Sequence, residues 1–465
     1  TIARPLTLSG NGWTEGVGNL GALRVSSGTW SGAITLAGNA RLTAWTGETT
    51  GIISGAIGDG AGSFGIEKTG TGTLTLSGAN TYDGATTVNA GRLVVSNTLL
   101  NTSGITVNNG ATAELGATNM FVGGHGVAVN NARVITVNGS TLVMNSSMDS
   151  RIGNVTLNNG STWTSNRGLG NYDVLLANTT TGAATVSVTG SGASTMNDSG
   201  GIHLQGVQNF YVEDTTGSSA ADLTVSMILG AQGSAGGSAG GINKTGAGTM
   251  QLTNADNVFT GATTIGGGTL ELASGGRLGS GSYAGDITNN ATLLINTTAN
   301  QTLSGNMTGN GALVKNNTGI LTLSTPKSYT GLTTVSGGTL TVNGTGALSG
   351  TTGLSVASGA TFNYTPATLG TMTMNVGSTL AFATGSILGL NWDASTSSRI
   401  AALGAATMGS GVKVNMTGAY TSGNSYTILT AGSGLDSGSY TAINNVDYTA
   451  AFVQSPTSVT ITPTA

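Results

Sequence analysis

The sequence predicts an all-β fold, a β-solenoid of stacked parallel strands with roughly 20–25 residues per coil and a β-rich C-terminal cap. Three observations carry this. A segment of the type KTGTGTLTLSGANTYDGATTVNAGRLVV occurs three times, beginning at Lys68, Lys244 and Lys315. Within it, apolar residues alternate with threonine at period two, the mark of strands with one buried face. Of 465 residues, 79 are glycine and only 7% are charged, against about 25% in an ordinary globular protein. A net charge of -4 with abundant Val, Ile and Thr argues against disorder and for β-structure.

The repeat is read strand, turn, strand, turn, strand. In the first copy Leu74, Leu76, Val88 and Leu93 are expected to face the core, with Gly72, Gly84 and Gly91 at corners. The second copy has Leu252, Ile265 and Leu270 in the core positions and Gly248, Gly261 and Gly268 at the corners. The third has Leu321, Leu323, Val335 and Leu340 with Gly319, Gly331 and Gly338. The second copy carries one extra residue in its NADNV loop, where a solenoid tolerates insertions. Elsewhere the same grammar recurs: Ile105-Thr106-Val107 precedes Asn108-Asn109-Gly110, and Ile135-Thr136-Val137 precedes Asn138-Gly139. Val155-Thr156-Leu157 precedes Asn158-Asn159-Gly160, 20 residues after the previous unit, the length of one coil. An Asn-Gly turn also suits a hairpin. The sustained spacing without any helical pattern favours coils.

The organisation expected is a β-helical lead-in at 1–66, a first stretch of coils at 67–229 and a glycine-rich loop at 230–241. Coils with the second and third repeats follow at 242–387, and a capping module at 388–465. A short helical turn is expected around Arg399 to Leu403. The N-terminal TIARPLTLSG lacks a signal-peptide core, so a signal has been removed or the segment is internal. No window approaches ~18 consecutive apolar residues, so no transmembrane helix is expected.

The absence of cysteine excludes disulfides and thiolate metal sites and fits export across a bacterial envelope. The 14 basic residues are scattered singly, which excludes a nucleic-acid partner. No catalytic residue, cofactor or metal is expected, because the 18 acidic residues nowhere pair as an acid/base couple would require. His125 and His203 read as a loop and a strand residue. Asp59 in IGDGAGSFG stands alone, whereas a calcium nonapeptide needs repeated aspartates. Lys68, Lys244 and Lys315 read as outward strand-end residues whose charge discourages edge pairing. Tyr82, Phe259 and Tyr329 read chiefly as loop aromatics packing on their own coil. Tyr82 and Tyr329 are also candidate ligand contacts, as is the acidic pair Glu213 and Asp214 near Asp222. Trp13, Trp30, Trp45 and Trp163 are expected to pack within early coils, the alternative being that one of them is an exposed anchor.

The repeated segment closely resembles the autotransporter-associated β-strand repeat of passenger domains in type V secreted bacterial proteins. The stretches GALRVSSGTWSGAITLAGNARLTA and GIISGAIGDGAGSFGIEKTG are similar to its usual lead-in, and the end of the chain resembles the module that closes passenger β-helices. The resemblance implies a right-handed parallel β-helix outside the cell or on the surface of a bacterium with an outer membrane. The ~10-residue amphipathic strands of a translocator barrel are not read here. The expected role is that of a non-enzymatic adhesin, or a subunit of an extracellular filament or surface layer. Its partners would be further copies of itself, surface glycans or other cells. A β-helix polysaccharide lyase or hydrolase, and a passive stalk for another domain, are the alternatives.

Overall fold

A computed structural model describes all residues except 16–17, 26, 46–49, 117–132, 146–150, 165–174, 177–182, 198–199, 231–239, 345–347, 376, 444–448 and 465. The chain forms two compact units, Thr1–Met250 and Gln251–Ala465. Both are built from short strands in stacked parallel sheets, and among the described residues the only helix is a single 3-10 turn at Gly279–Gly281.

In the first unit one sheet stacks Ile34–Thr43, Ile66–Thr69, Thr86–Val88, Gly104–Asn108, Val134–Asn138, Asn154–Asn158, Thr185–Thr189, Val207–Val212 and Gly241–Thr245. A second stacks Gly51–Ile53, Thr73–Leu76, Arg92–Val95, Thr112–Leu115, Thr141–Met144, Thr162–Thr164, Ser194–Asn197 and Leu223–Val225. A third, narrower sheet joins Arg151–Ile152, Leu175–Leu176, Gly201–Leu204 and Ile228–Leu229. A strand of three to five residues buries too little to stand alone; here each lies on its counterpart in the next coil. Thus Ile105 pairs with Ile135 and Ile135 with Val155, and Leu74 pairs with Leu93 and Leu93 with Ala113. The period of two puts these residues inside and Thr106, Thr136 and Thr156 outside.

Each repeat holds four strands, one more than the sequence suggests. In the first copy Ile66–Thr69 and Thr73–Leu76 lie on two sheets, and Thr86–Val88 and Arg92–Val95 return directly onto them. The third copy does the same with Ala312–Lys315, Ile320–Leu323, Thr333–Val335 and Thr339–Val342. The repeat is therefore a pair of stacked corners, and the strand missed is the one carrying the lysine. The core positions Leu74, Leu76, Val88, Leu93, Leu252, Ile265, Leu270, Leu321, Leu323, Val335 and Leu340 are all at most 1% exposed.

The repeat glycines do two different jobs. Gly91, Gly268 and Gly338 hold φ near +63°, between +62° and +65°, where a Cβ is strained. Gly84 and Gly331 instead permit close approach: a Cβ would lie 2.3 Å from Gly65 N in one case and 1.9 Å from Gly311 O in the other. Gly72, Gly248 and Gly319 are likewise pressed against backbone carbonyls of the preceding coil.

The second unit stacks Thr269–Ser274, Thr292–Thr297, Ala312–Lys315, Thr333–Val335, Gly353–Val356, Thr379–Phe382 and Ala406–Met408 on one face. Another face runs from Ser282–Tyr283 to Tyr440–Ile443. Towards the C-terminus the rule of parallel pairing ends. Ser458–Thr464 runs antiparallel to Tyr426–Thr430, and Thr449–Ser455 antiparallel to Ser458–Thr464, so a hairpin closes that sheet. The helical turn expected near Arg399 is instead the strand Arg399–Ala402, paired with Thr371–Met374. Arg399 donates from Nε and a terminal nitrogen to Thr371 Oγ1 at 3.0 and 2.8 Å, which fixes it to the neighbouring coil.

Candidate functional site

The three repeat lysines point inwards, a correction to their reading as exposed strand ends. Lys68, Lys244 and Lys315 are each 0% exposed. Alternation explains the direction: Ile66, Ile242 and Leu313 lie two residues earlier on the inner row, so the lysine follows them inside. Its stem lies beside Val88 in the first copy and Val335 in the third. The ammonium then meets the corner. Lys68 Nζ donates to the carbonyls of Thr69, Gly70 and Ala90 at 3.0, 2.7 and 2.9 Å. Lys315 Nζ donates to Asn316, Asn317 and Gly337 at 2.5, 2.7 and 3.2 Å. Lys244 Nζ reaches Gly246 O at 2.8 Å and Gly248 O at 2.5 Å. Tight turns leave carbonyls that no strand can satisfy, and a buried orphan carbonyl is costly; one ammonium with three N–H groups serves several. Lys327 is a fourth internal lysine, bonded to Gly305 O at 2.5 Å and to Thr325 Oγ1. Burial lowers all four pKa values to about 8. Of the five lysines in the chain, only Lys413 is exposed.

Tyr82 and Tyr329 are also internal, 1% and 0% exposed, so their rings are not presented as a platform for a sugar. The Tyr82 hydroxyl shares a 2.6 Å bond with Thr86 Oγ1, and Tyr329 a 2.5 Å bond with Thr333 Oγ1. Burial pushes both phenols well above the usual tyrosine pKa. Each threonine also meets a second one, Thr102 or Thr351, at 3.3 Å. Those in turn donate to Gly84 O at 2.8 Å and Gly331 O at 2.5 Å. The second repeat has Phe259, which lacks the hydroxyl. There Tyr283, from the following coil, meets Phe259 edge-on at 5.7 Å, shares a 2.8 Å bond with Thr263 Oγ1 and donates to Gly261 O.

Glu213 and Asp214 do not converge with Asp222. Asp214 is exposed, Glu213 is half-buried and accepts a 3.2 Å bond from Tyr211, and Asp222 is fully buried. Asp222 holds a loop: it accepts from the backbone of Thr215, Thr216 and Thr249 at 2.8, 2.8 and 2.7 Å. Asp59 does similar work, its Oδ2 accepting from the backbone N–H groups of Phe64 and Asp83, both at 3.0 Å. His203 is half-buried on Gly201–Leu204, while His125 lies outside the described residues, as does 231–239 of the glycine-rich loop. Trp163 packs inside at 1% exposure, Trp30 and Trp45 are half-buried, and Trp13 is 75% exposed. Among the described residues no three His, Asp or Glu side chains gather as a metal would need, and no helix is long and apolar enough to cross a membrane.

One further arrangement escaped the sequence reading. The asparagines that close the Ile-Thr-Val-Asn units stack into a ladder. Asn89 Nδ2 donates to Glu67 Oε1, Asn108 to Asn89, Asn138 to Asn108 and Asn158 to Asn138, at 2.7, 2.9, 2.6 and 2.7 Å. Thr189 continues it by donating to Asn158. Arg41 Nε closes the other end on Glu67 at 2.8 Å. Inside the corner that follows, Ser140, Ser161 and Ser194 form a buried series. The hydroxyl of each accepts from the backbone N–H of the coil before it: from Gly110 at 3.1 Å, Ser140 at 3.4 Å and Ser161 at 3.2 Å.

Stacked parallel coils whose repeated lysines and tyrosines are consumed by internal bonding define a β-solenoid repeat protein. Three segments of the chain, residues 66–95, 242–272 and 313–342, match the passenger-associated-transport-repeat. Each matched segment opens on the inner apolar residue, Ile66, Ile242 or Leu313, with the lysine two residues on. No curated protein matches the chain.

Proposed function

We propose that this chain is an extracellular, non-enzymatic structural protein of the bacterial surface, an adhesin or a subunit of a filament or surface layer, acting by self-association of its β-solenoid. The observation that carries the reading is the fate of the repeat residues. The lysines and the tyrosine hydroxyls, the groups in the repeat best able to do chemistry, are spent on corner carbonyls and threonines. What faces outwards is largely threonine, serine and asparagine, which repel a second copy weakly. A passenger-type repeat supports display outside the cell.

Negative-stain electron microscopy and sedimentation of the purified chain test this reading. Ordered fibres, sheets or discrete oligomers in physiological salt are expected. A monomer that persists at high concentration would overturn self-association. Cleavage of acidic polysaccharides, lost on changing a single carboxylate, would replace the structural reading with an enzymatic one.

A further inference from the structure

The outer face of one sheet in the first unit is more regular than a merely solvated surface requires. Its columns run from coil to coil. One reads Thr87, Thr106, Thr136, Thr156 and Ser187, each opposite the next in register without a shift. Two residues along each strand, a second column reads Asn108, Asn138, Asn158 and Thr189 in the same register, with Asn89 extending it through the ladder. Charge stands only at the ends of this array: the Arg41–Glu67 pair precedes Thr87, and Tyr211, bonded to Glu213, follows Ser187.

The two columns differ in how they are held. The asparagine amides are tied to one another at 2.6–2.9 Å, which locks the separation and register of successive coils. Side-chain ladders of this kind resist the twist that a sheet otherwise accumulates. The hydroxyls of Thr87, Thr106, Thr136, Thr156 and Ser187 have no partner among the described residues. They are partly exposed, on side chains that in threonine are stiff at χ1. The result is an uncharged array in which one column of free hydroxyls and methyl groups runs beside a column of mutually bonded amides. Its repeats are ~4.8 Å between coils and ~6.6–6.8 Å between columns.

We propose that this face binds ice. A neutral array whose hydroxyls recur in register from coil to coil is complementary to a solid that is itself a neutral lattice of regularly spaced oxygens. Little ordering entropy is lost in forming the contact, because the side chains are already held. Other extended surfaces fit less well. A mineral or nucleic acid would call for charge, and none lies within the array. A crystalline polysaccharide would call for aromatic stacking, and no aromatic residue lies in the columns between Glu67 and Tyr211. The inference goes beyond surface display and self-association and does not depend on either.

The test is incorporation of the full chain into a slowly growing ice front, with thermal hysteresis read alongside. Thr136→Tyr puts a bulky ring in the centre of the array while keeping a good strand former. Thr141→Tyr does the same on the outer face of the neighbouring sheet, where Thr112, Thr141 and Thr162 also align. Circular dichroism checks that both variants fold. Wild type and Thr141→Tyr should enter ice several-fold above an inert globular control, and Thr136→Tyr should fall to the control level. Wild type at the control level overturns the proposal, as do equal retention in Thr136→Tyr and equal loss in both variants. Loss of self-association in Thr136→Tyr without ice retention by the wild type would make the face an interface between copies, and also overturns it.

Discussion

The first and third repeats bind the Thr-Thr corner with the same atoms, whereas the second reaches the same end by a different route. Tyr82 and Tyr329 lie four residues before the threonine they meet, within one loop. Phe259 leaves that position without a hydroxyl, and Tyr283 supplies it from 20 residues after Thr263. Tyr283 also takes over the carbonyl served elsewhere by Thr102 and Thr351, since it donates to Gly261 as they do to Gly84 and Gly331. In a stacked fold a need can thus be met from the next coil, so equivalence in space does not require equivalence in sequence.

The largest effects should be common to the repeats. Leu76 and Leu323 are 0% exposed at matched positions. Changing either to Asp places a carboxylate among apolar side chains, at a cost of about 4 kcal/mol or more. Because a solenoid opens locally, the measurement is hydrogen exchange at the amides of Thr73–Leu76 and Ile320–Leu323. Each mutation should strip protection from its own coils. Protection left intact in Leu76→Asp would mean that the two repeats are not equivalent.

The lysines come next. Lys68→Ala leaves the carbonyls of Thr69, Gly70 and Ala90 without their donor, and Lys315→Ala does the same in the third repeat. A loss of about 2–4 kcal/mol is expected in each. Lys413→Ala, on the exposed lysine, should stay within about 0.5 kcal/mol. Chemical denaturation of the three variants makes the comparison, and a neutral Lys68→Ala would show that the corner carbonyls find other donors.

These residues also mark what sequence can and cannot reveal. The alternation through Leu74, Leu76 and Val88 exposes the strands and their inward side, because burial with period two is a local property. The same alternation places Lys68 inside, two residues after Ile66. The usual rule that charge faces water hides this, since it ignores the unsatisfied carbonyls of a tight corner. The role of Tyr283 and the asparagine ladder have no local signature. Asn108 and Asn138 are 30 residues apart but Asn138 and Asn158 only 20, so insertions between coils scramble the period along the chain while the stack preserves it.

The buried titratable groups predict a stability maximum near pH 10. Burial lowers the four internal lysines to about 8 in the folded chain, while the unfolded chain keeps them near the ordinary lysine value. Between pH 8 and 10 the unfolded state therefore holds more protons, and stability rises with pH. Above pH 10 the sign reverses. Burial raises Tyr82, Tyr329 and, to about 12, Tyr283, so the unfolded chain ionises first and gains. Thermal melts from pH 7 to 11 should rise and then fall. A melting temperature that declines steadily from pH 8 would show that the carbonyls around each ammonium outweigh its desolvation.

The smallest effect examines the borrowed hydroxyl directly. Tyr283→Phe removes the group bonded to Thr263 and Gly261 while leaving the ring in contact with Phe259, and should cost about 1–2 kcal/mol. Phe259→Tyr alone adds a hydroxyl to a corner that already has one and should give no gain. Together the two changes restore the arrangement of the first and third repeats, with a tyrosine four residues before the threonine. The double variant should therefore recover most of the loss in Tyr283→Phe, a coupling read from a double-mutant cycle. Additive losses would mean that the second corner has been remodelled around Tyr283 and that its hydroxyl is not interchangeable with those of Tyr82 and Tyr329.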